Sequence, residues 1–210
     1  MFRTSKVDHL ILKRCIQVNA EIFSIGMEAK VKNPKTIIPI GWEKPLEGWM
    51  KLNLDGSALG NLGRAGGGGI TRDHEGDWIR GYARALGNTN SIVAELRALR
   101  DGLNLARDLR LNNLIIELDA LCVVILMNND SENLLMKPLL TDCKNLSKAI
   151  SNKQVIYTYH EANQCTDALA KLGANSLSSF VVFWNHRLWW KVFWLLIKQL
   201  CILINLLIPS

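Results

Sequence analysis

The hydrophobic period of this chain changes once, abruptly, and that change constrains the fold more than any other feature. Residues 48–55 alternate, with Met50, Leu52 and Leu54 on one face and Asn53 and Asp55 on the other, the period of a half-buried strand. A turn (Gly56 to Gly63) leads into Ala65-Gly66-Gly67-Gly68-Gly69-Ile70-Thr71-Arg72-Asp73, His74-Glu75-Gly76 marks another turn, and Trp78 to Leu86 reads as a third strand. From Ser91 to Arg110 the apolar residues recur at 92, 96, 99, 103 and 106, the spacing of one helix face, with Ser91 as the expected N-cap. Leu114 to Leu118 is a short apolar strand. Helical stretches follow at about 120–128 and 136–151, then a strand at Gln154 to Tyr159. A last helix runs from Ala162 to Lys171 and closes near Gly173. The order βββ-α-β-α-α-β-α predicts a mixed sheet with helices packed on its faces.

The ends differ from this middle. Asn33-Pro34, Pro39 and Pro45 mark a linker after a mixed-polarity segment with one helix expected near Asp8–Lys30. The expected organisation is therefore an N-terminal extension over 1–41, a domain over 42–179 and an apolar tail over 180–210. That tail holds Trp184, Trp189, Trp190 and Trp194, and its apolar run is interrupted by Lys198, Gln199 and Asn205. A membrane anchor, a helix covering an apolar patch of the domain, and an end of non-native origin all remain open for it.

Composition excludes several classes. With 49% hydrophobic residues the chain is not globally disordered. Cys15, Cys122, Cys143, Cys165 and Cys201 form no CxxC and no Cys/His pair, which argues against a disulfide framework and a zinc site. A reducing, intracellular compartment, nucleus or cytoplasm, is expected. No secretory leader is read in the first twenty residues. The net charge of +6 sits in the ends, because residues 41–179 carry fifteen basic against sixteen acidic side chains. A polyanion would have to be bound by the middle through local arrangement or through metal ions.

Four acids stand in apolar or glycine-flanked settings: Asp55 before Gly56-Ser57, Glu95 in Ile92-Val93-Ala94-Glu95-Leu96, Asp119 after Leu114-Ile115-Ile116-Glu117-Leu118, and Asp167 in Cys165-Thr166-Asp167-Ala168-Leu169-Ala170. A buried carboxylate has to be paired, hydrogen-bonded or metal-bound. Each also has a plain reading, as turn acid, helix-start acid or cap. If the four converge at one sheet edge, they suit a pair of hard divalent ions that assist phosphodiester hydrolysis.

Lys51-Leu52-Asn53-Leu54-Asp55-Gly56-Ser57 with Gly63-Arg64-Ala65-Gly66-Gly67-Gly68-Gly69-Ile70-Thr71-Arg72-Asp73 resembles the start of a type 1 ribonuclease H domain, in its plant, retroelement-related, reverse transcriptase-like subfamily. Ala94-Glu95-Leu96-Arg97-Ala98-Leu99, Ile116-Glu117-Leu118-Asp119-Ala120 and Glu161-Ala162-Asn163-Gln164-Cys165-Thr166-Asp167-Ala168-Leu169-Ala170-Lys171 match its later motifs in order, over about residues 42–179. The resemblance implies an α/β, five-stranded mixed sheet in βββαβαβα order with helices on both faces. It also implies Asp55, Glu95, Asp119 and Asp167 as catalytic, metal-binding acids, and Mg²⁺ or Mn²⁺, two ions with substrate. The implied activity is endonucleolytic hydrolysis of the RNA strand of an RNA–DNA hybrid. Gly56, Ser57 and Asn163 are the candidate substrate contacts, and N-cap of the last helix is the rival role for Asn163. The sequence leaves the oligomeric state unset.

Three departures from the family pattern bear on activity. Tyr157 stands six residues before Asn163, where relatives often carry a histidine, and neutral tyrosine is a poor proton shuttle near pH 7. His160 is offset from that place but close to it, a candidate auxiliary group. The interval from Asp119 to Asp167 is too short for the extra basic helix of some bacterial relatives, which predicts weak, metal-dependent substrate affinity. Thr166 replaces the usual alanine, a change expected to be tolerated. The rival expectation is a retroelement-derived nucleic-acid-binding module with little or no turnover.

Overall fold

The computed structural model describes residues 40–60, 62–129 and 136–184. The helix expected near Asp8–Lys30 and all but the first residues of the 180–210 tail lie outside them. Within the described residues the strands are β1 (Met50–Ala58), β2 (Gly63–Arg72), β3 (Trp78–Thr89), β4 (Asn113–Leu118), β5 (Asn152–Tyr157) and β6 (Phe180–Trp184). The helices are α1 (Ser91–Asp108), α2 (Leu121–Asn128), α3 (Lys137–Lys148) and α4 (Gln164–Asn175), with a single 3-10 turn at His160–Ala162.

The sheet order is β5-β4-β1-β2-β3-β6. β1, β2 and β3 form an antiparallel meander, while β4 runs parallel to β1 and β5 parallel to β4. A parallel neighbour cannot follow through a tight turn, so the long α1 carries the chain from β3 back across to β4. One sheet face is covered by an apolar layer of Leu52, Leu54, Leu96, Leu99, Leu103, Ile116 and Leu118 with the α3 residues Leu140 and Cys143. The other face carries a smaller layer around Ile70, Trp78, Ala83, Ala168 and Leu169, which seats α4.

The glycine run of β2 has a packing cause. A Cβ on Gly68 would lie 2.6 Å from the Ala170 backbone nitrogen, and one on Gly66 would lie 2.1 Å from the Ala170 carbonyl oxygen. Helix α4 therefore rests directly on strand backbone. Gly173 serves the same contact: it lies inside α4, which continues to Asn175, and its Cβ would meet the Arg84 carbonyl at 2.3 Å. This corrects the expectation that α4 closes near Gly173. The N-cap of α1 is Asn90 rather than Ser91. Its side chain accepts the Val93 amide at 2.9 Å, and two adjacent cap-forming residues cannot be ranked by type alone.

The described sheet has six strands, one more than the family pattern implies. Phe180-Val181-Val182-Phe183-Trp184 pairs antiparallel with β3, from Arg84 opposite Phe180 to Arg80 opposite Trp184. The Arg80 guanidinium stacks 3.4 Å from the centroid of the Trp184 ring. The sheet thus runs past residue 179, where the domain was expected to end. A five-residue apolar run has no period to separate a strand from a helix, and the choice was made by the free edge of β3. No helix of the described residues is long and apolar enough to cross a membrane.

Candidate active site and metal centre

The site grows from one pair of parallel strands. Leu54 of β1 and Leu118 of β4 are register partners, so the residues that follow them, Asp55 and Asp119, stand side by side at the same sheet edge. Helix α1 brings Glu95 to them. Gly56 makes that approach feasible, since a Cβ there would lie 2.2 Å from the Glu95 backbone nitrogen. One oxygen each from Asp55, Glu95 and Asp119 gather within 4.8 Å of one another.

This gathering is electrostatically expensive. Burial, reinforced by the Asp119 and Asp167 charges, pushes the Asp55 carboxyl well above the ordinary carboxylate range. Burial and the Asp55 and Asp119 charges do the same to Glu95. Asp55 Oδ2 and Glu95 Oε2 are both buried and have no hydrogen-bond partner. Unpartnered, buried, oxygen-only donors in close mutual repulsion fit a hard divalent cation, which would satisfy the orphaned atoms and cancel the repulsion.

The other expected residues take distinct places. Asp167 is in the first turn of α4, and its Oδ2 pairs with Lys171 Nζ at 2.8 Å. It is outside the three-acid group, though its charge reaches Asp55 and Glu95. His160 opens the 3-10 turn and puts Nδ1 2.9 Å from Asp119 Oδ2. Tyr157 ends β5, is exposed, and meets Tyr159 edge to face at 5.6 Å. Ser57 is half-buried in β1.

Asn163 is only 1% exposed. Its Nδ2 donates to the Leu54 carbonyl at 2.8 Å, and Thr166 Oγ1 lies within hydrogen-bond distance of both its oxygens. Its backbone carbonyl, not its side chain, receives the first amides of α4, from Thr166 and Asp167. The Asn163 amide is committed to tying the start of α4 to β1, one residue before Asp55. Thr166 has a use that an alanine could not supply.

Two features lie beyond sequence reasoning. Lys171 is one, although its i,i+4 spacing from Asp167 is a signal for it. The other is a buried polar network next to the acids. Asn53 joins Glu117 Oε2 (2.7 Å), Trp42 Nε1 (2.8 Å) and Arg72 (3.2 Å), while Lys51 Nζ bridges to Glu117 Oε1 at 2.7 Å. Satisfied buried networks of this kind fix strand register, here that of β1 against β4.

A central β1 flanked by antiparallel β2 and parallel β4, with acids at the strand ends and helix starts, defines a ribonuclease H-type domain. The chain belongs to the Reverse transcriptase-like family, whose pattern matches residues 53–173 and so includes all four acids. An Arabidopsis thaliana protein provisionally named a ribonuclease H is 30% identical over 141 residues, 67% of this chain and 23% of that protein. The chain therefore spans about a quarter of the length of that curated relative. Among solved structures, ribonuclease H1 of the archaeon Halobacterium salinarum superposes with a TM-score of 0.57 at 20% identity, over 60% of this chain and 96% of that one. The N-terminal ribonuclease H domain of a Mycobacterium tuberculosis protein gives 0.58 at 22% identity, over 60% and 94%. A compost-derived ribonuclease H1 in complex with an RNA/DNA hybrid gives 0.56 at 21% identity, over 60% and 96%.

Proposed function

We propose that this domain is a metal-dependent endonuclease that hydrolyses the RNA strand of RNA–DNA hybrids. The observation that carries the reading is the set of three carboxylates gathered within 4.8 Å, two of them with orphaned buried oxygens. Asp55, Glu95 and Asp119 would hold Mg²⁺ or Mn²⁺, with Asp167 as the fourth acid when a second ion enters. A divalent ion bound there supplies Lewis-acid stabilisation of the charge that develops on the phosphate oxygens. The hybrid found with a solved relative and the family membership support the substrate class.

The chain's own groups do the rest. The Asp119 contact orients the His160 ring with Nδ1 inward, which leaves Nε2 to accept or return a proton at the solvent side. Asn163 and Thr166 hold the α4 start, and with it Asp167, against β1. Since the described acidic residues dominate this edge, phosphate binding would depend on the cation.

Cleavage of an end-labelled hybrid with Mg²⁺ or Mn²⁺ tests the reading, and Asp55→Asn or Asp119→Asn abolishes it while the fold persists. Undiminished cleavage by these variants overturns it. A second reading is a retroelement-derived binding module with little turnover, favoured by Tyr157 at the end of β5. Hybrid binding without cleavage across a range of metal ions would decide for it.

A further inference from the structure

The fourth acid lies outside the group of three and is paired with a cation of the chain itself. Asp167 Oδ2 receives Lys171 Nζ at 2.8 Å, one turn along α4. The side chains are 15% and 31% exposed, so water screens the pair only in part. The positive charge of Lys171 also reaches Asp55, where it opposes the upward push of Asp119 and Asp167. On an isolated helix an i,i+4 pair is worth a few tenths of a kcal/mol. Here the ammonium stands against a cluster of acids that has two buried oxygens without partners.

We infer that Lys171 sets the number of divalent ions this site takes: one on Asp55, Glu95 and Asp119 in the absence of nucleic acid, with Asp167 withheld from a second. The inference rests on the metal-dependent reading above. Four carboxylates, one ammonium and one divalent ion leave a single negative charge. A second divalent ion would overshoot neutrality and compete with Nζ for Asp167 Oδ2, unless it arrives with an anion such as a phosphodiester. Without the ammonium, two divalent ions neutralise the four carboxylates. Lys171 thereby couples completion of the site to the presence of the nucleic-acid backbone, and restrains metal loading of the free protein.

The test is a Mn²⁺ titration of the full chain without nucleic acid, by calorimetry and by loss of the free-ion paramagnetic resonance signal. The wild type takes one ion. Lys171→Met takes a second, bound about tenfold or more tighter than any second ion on the wild type. Lys171→Arg keeps the charge and behaves as the wild type, and Lys171→Gln repeats the methionine result with a shorter polar side chain. Circular dichroism checks that each variant is folded. Two ions on the wild type, or unchanged stoichiometry and affinity in both neutral variants, overturn the inference. Absence of any Mn²⁺ uptake that Asp55→Asn removes overturns the metal-dependent reading itself, a separate result.

Discussion

Asp119 and His160 lie 41 residues apart in the chain and meet at 2.9 Å, Oδ2 to Nδ1. The acid follows β4 and the imidazole opens the 3-10 turn after β5. Because β4 and β5 are parallel neighbours, with Leu118 opposite Tyr157, residues just past each strand end fall at the same sheet edge. Tyr157 holds the place where the family resemblance leads to the expectation of a histidine, and the imidazole that reaches Asp119 comes from three residues further on.

This pairing separates the two residues by experiment. His160→Ala should lower hybrid turnover roughly tenfold or more at pH 7, the loss expected when a proton-transfer group goes. Tyr157→Phe should leave turnover within about twofold, since only a hydroxyl on an exposed ring is lost. Steady-state cleavage of a labelled hybrid measures both, and equal effects would remove His160 from the mechanism.

Acid clustering predicts a trade between stability and function. Asp55→Asn should abolish cleavage and yet stabilise the metal-free chain, by on the order of 1 kcal/mol or more, with a raised melting temperature, because it deletes a buried repulsive charge. Thermal denaturation in the presence of a chelator reads it out, and saturating Mg²⁺ should narrow or invert the difference.

The same charges set a pH dependence with a definite sign. Asp55 and Glu95 have folded-state pKa values raised above their ordinary 3.8 and 4.5. Protonated, both are tolerated. The stability they permit is full below those ordinary values and is lost as pH rises through the raised folded values. The advantage of Asp55→Asn over the wild type, measured by melting with chelator, should therefore grow as pH is raised from about 4.

Gly56 is where β1 and α1 touch. Gly56→Ala places a methyl 2.2 Å from the Glu95 nitrogen and should cost about 1–3 kcal/mol in urea denaturation, with loss of metal affinity as Glu95 is pushed from Asp55. An unchanged midpoint would mean that α1 can withdraw freely.

Asn163→Ala removes the buried Nδ2 donor from the Leu54 carbonyl, while the Thr166 hydroxyl keeps the backbone carbonyl of residue 163 as its partner. It should cost about 1–3 kcal/mol and disturb Asp167 before Asp55. Hybrid affinity measured with a saturating divalent ion should stay within about twofold, since the buried amide positions α4, and a larger loss would mean that it touches substrate.

β1 and the long α1 were readable because their apolar residues repeat at 2 and at 3.6, which ties each side chain to a face. The four acids were singled out because their neighbours matched a family pattern in order, and the structure gathers three of them, Asp55, Glu95 and Asp119, with Asp167 outside that group. The sixth strand was not, since Phe180–Trp184 has no period and needed the β3 edge to define it. Nor was Gly173, which looks like a helix stop and is instead a point of contact with Arg84.

By itself, then, the sequence determined local conformation and residue chemistry: which segments are strands, which are helices, and which carboxylates stand in apolar settings. The tertiary structure alone decided which charges meet. It put three acids within one cation's reach, gave Asp167 to Lys171, set His160 on Asp119, and turned Asn163 inward to Leu54. Spacing along a chain fixes geometry only within one element. Distances between elements depend on strand register and on how closely helices approach the sheet, which glycines at Gly56, Gly66 and Gly68 set here by leaving no side chain in the way.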